Sequence, residues 1–132
     1  MLGASHHDQL ERVAELWGGD PLAEERYADW AAVFRERLID RYADVLSALT
    51  DACEAQDDRP AAQAAARRLV ELDPLDESAH RRAMLAYARA GRRAHALRQF
   101  LECRKQLVEE LGLEPSEATV SLQRRILVGE PV

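Results

Sequence analysis

Little in this chain is aromatic, β-branched or sulfur-bearing, and these shortages narrow the possibilities before any motif is sought. Aromatic side chains are 5% of the 132 residues, while the 47% hydrophobic share comes largely from alanine and leucine. With β-branched residues scarce, helix is favoured nearly everywhere and no sheet is expected. Only two cysteines occur, Cys53 and Cys103, without CxxC spacing. They fall at apolar positions of predicted helices, which argues for buried thiols in a reducing cytoplasm rather than a disulfide or metal pair. No stretch approaches the ~20 apolar residues of a membrane span, and no basic n-region leads into an apolar run, so a soluble, cytoplasmic protein with no membrane contact is expected. A Gly-rich phosphate loop, an HExxH pair and a Cys or Ser with a base at a recognisable spacing are also missing. Neither an enzyme nor a cofactor is expected.

The chain is short enough for one domain, 1–132 with an ordered core over about 10–128, and long enough to bury a core without staples. Its net charge of −6 argues against a nucleic-acid reader, but the charge is uneven: −8 over residues 1–66, +5 over 67–108 and −3 over 109–132. The basic block is also the stretch around which the chain is organised. Over Glu71–Phe100, Asp73-Pro74-Leu75 breaks one helix and Asp76 is placed to N-cap the next. Glu77 suits the positive end of that helix dipole, and Gly91 can take the left-handed conformation that ends it. A second helix follows at once, so the two pack as an antiparallel hairpin with Ala83, Ala90 and Ala96 allowing close approach.

One hairpin cannot bury its apolar face alone, and a 34-residue shift of the sequence against itself finds a neighbour. Gln56–Ala62 lies under Ala90–Ala96. At that period the tetratricopeptide positions are Leu46, Leu49, Cys53, Ala62, Ala66, Leu69 and Pro74 in the first unit. In the second they are His80, Ala83, Tyr87, Ala96, Phe100 and Cys103, with Thr50 and Met84 departing from the usual small residue. The expected fold is all-α, an α-solenoid of tetratricopeptide-like hairpin repeats with about six helices.

In chain order, Leu10, Val13, Ala14 and Trp17 make a short amphipathic helix over Asp8–Trp17, closed by Gly18-Gly19-Asp20-Pro21. His6 and His7 before it read as a frayed terminus, since adjacent residues do not face each other on a helix. A long helix is predicted from Glu24 or Tyr27 to Cys53. Its first half would hold the N-terminal helix, with Trp30 and Phe34 sealing the junction, and its second half opens the first repeat. The helix after Pro60 runs to Leu72. The last helix of the second repeat continues to Gly112, a seven-residue extension, and Ser116 N-caps a final helix that covers the open edge until Gly129-Glu130-Pro131.

Binding is the chemistry these residues can do. The inner surface of stacked hairpins is where such repeats receive peptides. By position Asp44, Ser47, Asp51 and Glu54 line it from the first unit, and Ser78, Arg81, Leu85 and Ala88 from the second. The alternative is internal pairing of those charges, worth 0 to about 1 kcal/mol when exposed. Arg81, Arg82, Arg89, Arg92, Arg93, Arg98, Arg104 and Lys105 form an ordinary solvated surface, or meet an acidic protein surface such as the −8 half of a second copy, or touch phosphates nonspecifically. Trp17 and Trp30 serve as packing or as aromatic anchors for a partner. His80 and His95, on neighbouring helices, read as solvated or hydrogen-bonded surface histidines.

One combination is specific: Leu72-Asp73-Pro74-Leu75-Asp76-Glu77, then Ala90-Gly91-Arg92-Arg93-Ala94, then Glu110-Leu111-Gly112-Leu113-Glu114-Pro115-Ser116. Together with Tyr27-Ala28-Asp29-Trp30, Arg37-Leu38, His80-Arg81, Met84, Ala96-Leu97, Leu107 and Thr119, it resembles the bacterial transcriptional activator domain over about residues 10–128. That module occurs in Streptomyces antibiotic regulatory proteins and in large multidomain transcription regulators, usually after a winged-helix DNA-binding domain. The resemblance implies a regulatory protein-interaction domain whose partner is another domain of the same regulator, a second copy in a homodimer, or the transcription machinery. It does not imply sequence-specific DNA binding by this segment. The other reading is a tetratricopeptide-like peptide-binding scaffold outside transcription.

Overall fold

The computed structural model describes residues 21–132, with side chains described from residue 25. Five helices and no strand occur among the described residues: α1 (Pro21–Ala55), α2 (Arg59–Leu72), α3 (Glu77–Arg89), α4 (Arg93–Leu111) and α5 (Glu117–Leu127). The expected helix over Asp8–Trp17, with Leu10, Val13, Ala14 and Trp17, lies outside the described residues, as do His6 and His7. None of the described helices is long and apolar enough to cross a membrane. The chain divides into two compact units, Met1–Arg41 and Tyr42–Val132.

Pro21 opens α1, where the sequence suggested it would help close the preceding segment. The first helical residue needs no N–H, and proline's fixed φ is already helical, so the ring helps the helix start. Within the first unit Trp30 stacks on Phe34, with ring centroids 5.3 Å apart and planes 7° from parallel. Trp30 nevertheless stays 40% exposed, and Val33, Leu38 and Ile39 are exposed beside it.

In the second unit the 34-residue period reappears as burial. Leu46 and His80, Thr50 and Met84, Ala62 and Ala96, Ala65 and Gln99, Ala66 and Phe100, and Leu69 and Cys103 are buried pair by pair at matching positions. Helix α3 packs between α2 and α4, and α5 covers α4 and α3. One core results, running from Leu46 through Leu69, Met84, Tyr87 and Phe100 to Leu122 and Ile126. Alanines at the crossings bring the backbones together, and Tyr87 and Phe100 fill the space they leave.

The punctuation follows local chemistry. Asp58 caps α2 by accepting from the Ala61 N–H at 3.3 Å, and Asp76 caps α3 by accepting from the Ser78 N–H at 2.9 Å. At the end of α3, Gly91 adopts φ +76°, while the Arg92 N–H reaches back to the Tyr87 carbonyl and the Gly91 N–H to the Ala88 carbonyl, a Schellman closure. The same closure forms at the end of α1, with Asp58 N–H to Cys53 O and Asp57 N–H to Glu54 O, but there the left-handed residue is Asp57, at φ +60°. Gly112 ends α4 at φ +64°.

Two expectations are corrected. His80 is fully buried rather than on the surface. Its Nε2 lies 2.7 Å from the Pro74 carbonyl and its Nδ1 2.8 Å from Gln99 Nε2, so both ring nitrogens are satisfied inside the core. Ser116 occupies the N-cap position of α5, but its side chain makes no capping bond. Instead the Glu77 carboxylate on α3 accepts from the Ser116 N–H at 3.0 Å, from Ser116 Oγ at 2.6 Å and from Thr119 Oγ1 at 2.7 Å. A charged carboxylate is the stronger acceptor, and it draws the serine hydroxyl away from its own helix.

Candidate peptide groove

Between the second half of α1 and α3 lies an open groove of about 370 Å³, lined by Thr50, Asp51, Glu54, Ser78, Arg81, Arg82, Leu85 and Arg89. Its walls come from the repeat itself. Asp51 and Glu54 are one turn apart on α1, and Ser78, Arg82, Leu85 and Arg89 follow helical spacing on α3, so each row projects along one face. Of the residues read from the sequence as its lining, Asp51, Glu54, Ser78, Arg81 and Leu85 are brought together here, joined by Arg89 of the basic cluster; Asp44, Ser47 and Ala88 do not line this groove.

The two rows pair across the gap. Arg82 Nη1 meets Asp51 Oδ1 at 2.6 Å, and Arg89 Nη1 lies 3.5 Å from Glu54 Oε2. Glu54 also holds Arg59, at 2.8 Å. The internal pairing weighed from the sequence is therefore present. The Arg82–Asp51 pair stands at the surface and contributes no more than about 1 kcal/mol, whereas Glu54, its side chain only 16% exposed, is held more deeply between Arg59 and Arg89. Arg81 has other duties: its Nη1 donates to Thr119 Oγ1 at 2.9 Å and lies 3.5 Å from Glu77 Oε2. Burial pushes the Glu77 carboxyl up, but hydrogen bonds from Ser116 and Thr119, and then the Arg81 charge, outweigh it and hold the group below the usual carboxylate range.

Arg92 and Arg93 do not face this groove. Arg92 donates to Gln63 Oε1 at 2.7 Å and lies over the Tyr87 ring, 5.4 Å from its centroid. Arg93 donates to the Leu127 carbonyl and lines a neighbouring hollow of about 340 Å³ with Ala88, Arg89, Ile126 and residues 129–132. A third hollow, of about 260 Å³, is lined by Arg67, Val70, Glu71, Tyr87, His95, Arg98, Gln99 and Glu102. Desolvation, then the charges of Arg92 and Arg98, hold His95 below the usual histidine range. Trp30 belongs to the first unit and Trp17 lies outside the described residues.

Arg82 and Thr50 were missed as groove residues. Arg82 was legible: one turn N-terminal of Leu85 and Ala86, it follows Arg81 on the face opposite Asp51. Thr50 was not, because its hydroxyl bonds the Leu46 carbonyl of its own helix at 2.7 Å, which makes it a buried polar residue with a local partner. Burial pushes the Cys103 thiol up to about 11, with the Glu77 charge adding to the effect. Cys103 is buried, Cys53 half-buried, and both are free. No group of three or more His, Cys, Asp or Glu residues suited to a metal ion occurs among the described residues.

The sequence relatives are longer proteins. Regulatory protein AfsR of Streptomyces coelicolor is 33% identical over 134 residues, covering 94% of this chain and 12% of AfsR. Transcriptional regulator RedD of the same species is 33% identical over 128 residues, covering 93% of this chain and 35% of RedD. Regulatory protein DnrI of Streptomyces peucetius is 43% identical over 58 residues, 44% of this chain and 21% of DnrI. The chain thus spans about a third or less of each relative. The bacterial transcriptional activator domain model matches residues 3–127, nearly the whole chain, and the protein belongs to that family.

Proposed function

We propose that this chain is the regulatory protein-interaction domain of a bacterial transcriptional activator, and that it receives an extended segment of a protein partner in the groove between α1 and α3. The observation that carries this reading is the facing of an acidic row, Asp51 and Glu54, by a basic row, Arg82 and Arg89, across an open channel between successive repeat helices. Charges that pair weakly with each other at a surface are exchangeable, and they set register and partner choice more than affinity. The partner is another domain of the same regulator, a second copy, or the transcription machinery. The domain acts in the cytoplasm by contact, without catalysis, cofactor or base-specific reading of DNA. Trp30, exposed on a helix and stacked on Phe34, is the aromatic anchor of a second contact.

The test is a chromosomal Asp51→Ala, Arg82→Ala pair in the source bacterium, which removes both partners and leaves no orphaned charge. Transcripts of the controlled genes should change as they do on deleting the domain, while the purified variant keeps its helical circular dichroism. Unchanged transcripts with a folded variant would sink the groove as the contact. Molar mass by light scattering at low and high salt then assigns the partner. A salt-sensitive dimer points to a second copy, and a monomer throughout points to another domain or the transcription machinery.

A further inference from the structure

The groove ends at Arg89, and Arg89 also lines the hollow beside it. Across that hollow runs a short strap, Gly129–Val132. Gly129, at φ +75°, turns the chain back from α5, with its N–H on the Ile126 carbonyl and the Glu130 N–H on the Arg125 carbonyl. Arginines from three helices then hold main-chain oxygens of the turn and strap. Arg89 Nε of α3 donates to Val132 O at 3.1 Å, Arg93 of α4 to Leu127 O, and Arg125 Nη2 of α5 to Pro131 O at 2.8 Å. The Val132 side chain packs on the core. Pro131 in the strap has a fixed φ and no N–H to donate.

None of these contacts reads a side chain of the strap except the short apolar one of Val132 and the Arg125–Glu130 pair. Arginine bonds to backbone carbonyls are available to any extended chain. The guanidinium that holds Val132 is the one that faces Glu54 in the groove. We infer that the strap is a ligand held in cis at the Arg89 end of the groove, and that an extended peptide presenting main-chain carbonyls and a short apolar side chain competes with it there. The inference rests on the reading of the groove as a peptide site. Tethering gives the strap an effective concentration far above that of a free peptide, so an outside partner binds weakly until the strap is displaced.

The probe is a fluorescein-labelled peptide with the sequence of residues 127–132, amidated so that its last oxygen stays a carbonyl. Anisotropy is measured with the 132-residue chain, a chain truncated after Val128, and a 132-residue Val132→Lys variant whose strap is repelled by Arg89 and Arg93. Binding should be at least tenfold tighter to the truncated and Val132→Lys chains than to the parent chain. Adding Arg89→Gln to the truncated chain should abolish it. Equal affinity for parent and truncated chains, or binding that survives Arg89→Gln, overturns the inference, and so does a peptide that binds no chain. The regulatory contact is judged separately by the transcript measurement, which does not involve the peptide.

Discussion

The two hairpins of the second unit are built on one 34-residue pattern yet are finished differently. The side of α1 that carries Val45 and Leu49 is 60% and 48% exposed at those residues, while the matching Ala79 and Ala83 of α3 are 1% and 0% exposed. Helix α3 is sandwiched between α2 and α4, and its alanines are what that close packing requires. Register alone therefore does not bury a position: a helix packed on that side does, and it then decides how small the residue there must be. The turns differ in the same spirit. Both reverse through a left-handed residue, but the second uses Gly91 and the first Asp57.

Placing one hairpin's residue at the matching site of the other tests this contrast. Phe100→Ala installs the residue found at position 66. It should cost about 3–5 kcal/mol in denaturant unfolding, because α4 meets α5 across a core that cannot collapse around the void. Glu77→Ala installs the residue of position 43 and removes the carboxylate that ties α3 to the start of α5. A loss of about 2 kcal/mol is expected, since the lost hydrogen bonds are to a charged group. Its pH signature is distinctive. The folded pKa of Glu77 lies below its unfolded value, so its contribution is present above the ordinary glutamate range near ~4.3 and fades as pH falls through the lower folded value. The parent and Glu77→Ala stabilities should therefore converge in acid titrations followed by circular dichroism.

Gly91→Asp gives the second turn the residue of the first. A side chain there meets nothing within 4 Å, so the cost is conformational, about 1 kcal/mol in thermal unfolding. The reciprocal Asp57→Gly should stabilise by less than that, because it also removes the 2.6 Å contact with Arg59. Leu49→Ala, which copies position 83, should change stability by under about 0.5 kcal/mol in the same assay. A loss as large as that of Phe100→Ala would mean that the exposed side of α1 is covered in solution.

Much of this was legible in the residues. Asp76, Gly91 and Gly112 act locally, and they placed the start of α3 and the ends of α3 and α4 from sequence alone. His80 went wrong because its type was weighed above its register: its partner at the period is Leu46, and the burial of both follows. Ser116 was misread because its competitor, Glu77, stands 39 residues away, and no local rule sees a carboxylate arriving from another helix. In the groove, the repeat placed Asp51, Glu54, Ser78, Arg81 and Leu85 together, while Arg89 was named only among the basic residues. Arg92 and Arg93 fell elsewhere because, at the turn, helical spacing no longer carries a residue onto the face it would have had.

Cys103 gives the molecule a timer. With its thiol pushed up to about 11, only about one molecule in ten thousand carries a thiolate there at neutral pH, and the sulfur is shielded within the packed helices. Alkylation must wait until α4 lifts away. The rate at which an added iodoacetamide consumes Cys103 therefore clocks how often the second hairpin opens, with half-buried Cys53 as an internal standard on the first.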